Sequence, residues 1–88
     1  MSKHPDKVLG WDGTLEELAI AIENMRYDKT VEFLVHLAEC FRKRSVEDRR
    51  MGRVSLSNAL YNVYTRTSVV SEYVKDAWKV CQPYMTNK

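Results

Sequence analysis

One row of side chains limits what this chain can fold into. Leu56, Leu60, Val63, Thr67, Val70, Val74, Ala77 and Cys81 recur in alternating steps of four and three. At 100° per residue they fall within about 60° of a common line, which predicts one long amphipathic helix. Inside this row, Ser68–Val74 reads Ser-Val-Val-Ser-Glu-Tyr-Val, a run rich in β-branched and aromatic residues that favour strand. The row passes through the run in register, with no turn signal between Leu56 and Cys81, so the longer pattern decides for helix.

Upstream, Thr14 and Glu17 precede Leu15, Leu18, Ile22 and Met25 as a capping box, which starts a first helix near Thr14. Asn24 to Asp28 forms a short connection, and Asp28 is expected to cap a second helix running to about Met51, with Glu32 near its positive end. In that helix Val31, Leu34, Leu37, Ala38 and Phe41 make the main stripe. Phe33, Val35 and Cys40 widen the apolar arc to roughly 200°, twice that of an ordinary surface helix, so it needs a neighbour on each side. Gly52 suits the positive-φ end of this helix, Ser55 or Ser57 the cap of the third, and Pro83 its limit. The expected fold is all-α, a small bundle in which short helix one packs on a long antiparallel hairpin of helices two and three. The expected organisation is an N-terminal arm over 1–13, one helical domain over 14–82 and a tail over 83–88. Leu9 and Trp11, the large apolar residues of the arm, are expected to tuck against the bundle.

A chain of 88 residues, 44% apolar and 30% charged, fits one folded domain with a small core. No apolar run approaches the ~18 residues of a membrane span, and Met1–Gly10 lacks the hydrophobic centre of a signal peptide, so no membrane association and a cytoplasmic location are expected. A hairpin turning near Gly52 brings Cys40 level with Tyr64 to Arg66, on the order of 20 Å from Cys81. That is beyond disulfide reach, so both thiols are expected reduced.

Helix one is too short to cover the whole hairpin. The stretch Phe41 to Arg66 is therefore expected to be a two-helix tip without a third layer, and its inward positions Ser45 and Asp48 predict weak packing or solvent. Charge is divided in the same way. From Asp12 to Glu39 seven acids face two bases, a net of −5; from Arg42 to Arg66 seven bases face two acids, a net of +5. Arg42, Val46, Arg49 and Arg50 share one helical face. With Lys43 paired to Glu39 and Arg44 to Asp48, that arginine face would be left poorly neutralised. A second, smaller row on helix three, Val69, Tyr73 and Val80, lies off the main stripe and offers a surface for another chain.

Reactive constellations are weak. Glu32, His36, Glu39 and Cys40 line one side of helix two, but the glutamate–histidine order is wrong for a di-metal bundle and helix three offers only Glu72 and Asp76. Cys40 lies one turn from His36 without an orienting group, and the glycines Gly10, Gly13 and Gly52 are too isolated to form a phosphate loop. No catalysis, metal or cofactor is expected. The expected role is a non-catalytic protein–protein interaction module, a small regulator or assembly subunit. Its basic tip (Arg42, Arg49, Arg50, Arg53) would make electrostatic contacts to a protein partner, an acidic one fitting best, while Tyr61, Val69 and Tyr73 act as apolar anchors in a homodimer or hetero-complex. The alternative is nucleic-acid binding through the same tip, Arg42–Arg53, against which stand a net charge of only +2 and the absence of any nucleic-acid motif.

Overall fold

A computed structural model describes residues 4–85. It contains α1 (Leu15–Glu23), α2 (Tyr27–Arg50) and α3 (Val54–Met85), with no strand among the described residues. The strand-favouring run Ser68–Val74 is helical throughout. Residues 1–3 of the expected arm and 86–88 of the expected tail lie outside the described residues.

Local chemistry sets each helix end. Thr14 is extended at φ −79° and ψ 164°; its hydroxyl accepts the Glu17 N–H at 3.0 Å, and the Glu17 carboxylate accepts the Thr14 N–H at 2.8 Å. This closes the capping box and satisfies two first-turn donors. Asp28, expected as a cap, instead sits inside the first turn of α2, where the Arg26 guanidinium grips both carboxylate oxygens at 2.6 and 3.0 Å. Gly52 adopts φ +83°, a left-handed conformation natural to glycine, and reverses the chain. Neither Ser55 nor Ser57 caps α3, since the helix begins at Val54 and contains both. It also continues through Pro83 to Met85 instead of stopping before the proline. The fixed proline φ suits a helix, and in the last turn the ring removes one backbone donor.

α2 and α3 form the antiparallel hairpin, and the molecule measures 52 × 29 × 14 Å. Between the helices, the buried side chains are Thr30, Ala38, Ser45 and Asp48 from α2 and Ser57 and Ser71 from α3, flanked by half-buried Leu34, Phe41, Leu60, Tyr64 and Trp78. Only Ala38 among them is hydrophobic.

Two sequence expectations change here. First, the seam of α3 follows Ser57, Leu60, Tyr64, Thr67, Ser71, Val74, Trp78 and Cys81, so it keeps half of the predicted row and swaps the rest. Leu56, Val63, Val70 and Ala77 are exposed on the flank beside α1. Second, the tip is tightly closed and not wet. The Ser45 hydroxyl donates to the Ser57 carbonyl at 2.8 Å, the Ser57 hydroxyl donates to the Ser45 carbonyl at 2.7 Å, and the two hydroxyl oxygens lie 3.1 Å apart. Such small side chains let helix axes approach closely, and the reciprocal bonds satisfy the groups that approach buries. Asp48 is buried beside them and accepts from Arg53 at 3.1 Å. No fully buried side-chain nitrogen or oxygen among the described residues lacks a hydrogen bond.

α1 is hardly docked. It buries none of its residues, and no α-carbon of α1 lies within 8 Å of one in α3. It leans on α2 near its C-terminus, where the Thr30 hydroxyl donates to the Ile22 carbonyl at 3.3 Å. At this base the Arg26 guanidinium lies 5.8 Å above the Trp78 ring, a cation–π distance. The arm does not tuck as expected. Trp11 folds back to donate its indole N–H to the Thr14 carbonyl at 2.9 Å, and Leu9 is 84% exposed. Both cysteines are free, Cys40 exposed and Cys81 half-buried.

Candidate interaction surface

The flank of α3 beside α1 carries Leu56, Val63, Val70 and Ala77 at intervals of seven residues. Each interval drifts only about 20° around a helix, so the four form a line along its length. Leu56 is 48% exposed and Val63 38% exposed. Two hollows mark the ends of this line. Near the tip, a groove of about 630 Å³ has Leu37, Phe41, Leu56 and Leu60 as its apolar lining, Arg44, Asp48 and Arg53 as its charged lining, and His4 of the arm beside them. Near the base, a cleft of about 520 Å³ separates α1 from α3, lined by Ala19 and Ile22 on one side and Val74 and Ala77 on the other. Leu37, Cys40 and Arg44 on α2 face the same side as Leu56.

The tip arginines are more neutralised than the sequence suggested. Glu39 is held by Arg42 and not Lys43, through two guanidinium nitrogens; Asp48 is held by Arg53, reaching across the turn, and not by Arg44. Arg50 pairs with Glu47, and Arg49 donates to Asn58 at 2.7 Å. The planar guanidinium fork explains why arginine displaces lysine at Glu39. Its hydrogen bond holds the Glu39 carboxyl below the usual carboxylate range, as Arg26 does for Asp28. The same bonds raise Arg26, Arg42 and Arg50, while the neighbouring Glu23 charge raises the Tyr27 phenol. Lys43, Arg44, Arg49 and Arg66 are the tip bases that make no ion pair among the described residues, Arg49 being bound only to the Asn58 amide.

The remaining expected contact residues do not form one patch. Tyr61 is exposed on the face opposite α1, in a shallow groove with Ser45, Val46, Arg49 and Asn58, and meets Tyr64 edge-on with ring centroids 5.4 Å apart. By helical position Arg42 follows Arg49 on that face and Arg50 lies on the outer edge of α2, whereas Arg53 lines the tip groove on the opposite face. Val69, Tyr73 and Val80 run along the outer edge of α3, with Tyr73 71% exposed. His36 stands 4.0 Å from Glu32, and no three His, Cys, Asp or Glu side chains among the described residues gather closely enough to hold a metal ion. None of the described helices is long and apolar enough to cross a membrane.

Surface area puts a magnitude on this openness. A compact monomer of 10.3 kDa exposes about 5,400 Å² by the usual mass scaling, whereas this chain exposes 7141 Å². The excess of roughly 1,800 Å² is larger than six terminal residues could present even fully extended. No protein-family model matches the chain, and comparison with curated proteins and with solved structures gives no match either.

Proposed function

We propose that the chain is a non-catalytic protein–protein interaction module, a small regulator or assembly subunit whose apolar flank is covered by another protein. The carrying observation is the orientation of α3, which turns Ser57 and Ser71 inward and leaves Leu56, Val63 and Val70 exposed. Two hydroxyl–carbonyl bonds contribute about 1 kcal/mol each, while full burial of a Val or Leu side chain contributes about 1.5–3 kcal/mol. The apolar burial forgone on the flank is thus comparable with, or larger than, what the serine contacts supply. Covering the flank with a partner recovers it. The outer row Val69, Tyr73 and Val80 adds a second apolar edge for the same kind of contact.

Nucleic-acid binding is the weaker reading, because Arg42, Arg50 and Arg53 are already engaged by carboxylates that a phosphate would have to displace. The two separate in one experiment, affinity capture of the tagged chain from its native cells with and without nuclease. The interaction reading expects a co-purifying protein that resists nuclease and falls at least tenfold with Tyr73→Asp, the loss typical of an apolar anchor. Capture that disappears with nuclease, together with salt-sensitive binding of an RNA or DNA oligomer, overturns it.

A further inference from the structure

We propose that the face carrying α1 pairs with the same face of a second copy of this chain, antiparallel about a two-fold axis passing near Val63 and Val70. This rests on the interaction-module reading and names its partner. α1 stands at the base end of its own hairpin, against α2 near Thr30, and does not extend over the tip half. Turning a second copy end over end sets each α1 over the open tip half of the other, so the two shapes fill each other. The seven-spaced line of α3 then runs against its counterpart, with the Leu56 end of one copy beside the Ala77 end of the other and a large side chain set against a small one.

Area and charge agree with this arrangement. A stable interface takes about 800 Å² from each partner, well within the excess of roughly 1,800 Å² that this chain exposes. Antiparallel pairing lays the basic tip over the acidic α1 and base, whereas parallel pairing would oppose like charges. The last acid of α1 is Glu23, exposed at the base end and without an ion pair among the described residues. Across the interface it meets the tip groove, whose apolar lining includes Leu56 and Leu60 and whose Arg44 is likewise without an acid. Each copy supplies one Glu23 and one Arg44, so the contact forms twice.

Sedimentation of the full chain tests the proposal. The wild type is expected at twice 10.3 kDa, and Val63→Glu with Val70→Glu at the single-chain mass with unchanged helical circular dichroism, because both residues already face water in the hairpin. Arg44→Glu and Glu23→Lys should each shift the dimer toward monomer, and an equimolar mixture of the two should regain it, since every cross-pair in the mixed dimer is again of opposite sign. If the double glutamate variant fails to fold, the mixing experiment decides alone. A mixture that does not regain the dimer overturns the antiparallel arrangement, and a dimer that survives both glutamates overturns the face. A wild type that stays monomeric leaves the groove to the chain's own arm, whose His4 already borders it, and overturns the second copy. If that monomer still captures a nuclease-resistant protein through Tyr73, the interaction reading survives; if it captures none, both fall.

Discussion

Leu56 and Ser57 are adjacent in α3, yet the leucine is 48% exposed and the serine 1% exposed. The seam and the flank of one helix thus invert the ordinary assignment of polar and apolar groups. In the seam, distance of approach governs: Ser45 and Ser57 are small enough for the backbones to close and bond each other's carbonyls. On the flank, Leu56, Val63 and Val70 have no opposing helix within the chain, because α1 reaches only α2. The contrast teaches that the inner surface of a hairpin is chosen by what fits between two backbones. The apolar surplus is left for whatever binds outside.

The sharpest way to break this comparison is to put apolar bulk where the serine is. Ser57→Leu should destabilise the fold by about 2–3 kcal/mol, since added methylenes in a packed seam force the helices apart, and a urea titration reads the lowered midpoint. Val63→Leu, a small enlargement on the flank, should change the unfolding free energy read from the same titration by no more than about 0.5 kcal/mol in the monomer. Equal effects at the two positions would dissolve the distinction between seam and flank.

A smaller effect sharpens the contrast between α1 and the hairpin. Thr14→Ala removes the capping-box hydroxyl and should cost the local helix about 1 kcal/mol. Because α1 buries none of its residues, the loss should appear as faster hydrogen exchange over Leu15–Leu18 while the hairpin's unfolding midpoint stays in place. The smallest effect concerns acid. Glu39 is held below its ordinary range by the Arg42 hydrogen bond, so its stabilising contribution is complete above the unfolded carboxylate pKa and is lost as pH falls through the lower folded value. Glu39→Gln should therefore flatten the decline in stability below about pH 4, measured by urea titration across pH.

Much of the architecture was legible because its causes are local. The Thr14–Glu17 box, the glycine at position 52 and the four-three spacing on α3 each act within a turn or two, and together they specify three helices and one reversal. Which flank of α3 meets α2 was not legible, since the true seam and the predicted row share Leu60, Thr67, Val74 and Cys81 and differ by a rotation of the helix. Serines at positions 57 and 71, fourteen residues apart on the inner line, carried the signal, but reading it requires knowing how closely α2 approaches. The arginine pairings were missed for a related reason. Arg53 reaches Asp48 across the reversal, a contact that helical spacing alone does not describe, and it leaves Arg44 without an acid. The long-range order of the site thus depended on geometry that sequence distance conceals.

Placing the reversal at Gly52 also dictates how the fold can assemble. Ser45 and Ser57 are only 12 residues apart, and the pairs between α2 and α3 lie at growing separations on either side of the turn. The shortest loop closes first at the least entropic cost, and each further rung enlarges it at a cost that rises only logarithmically. Such a chain is expected to zip from its bend toward its open end in about microseconds to milliseconds, and to come apart in the reverse order, beginning where α1 and Pro83 stand.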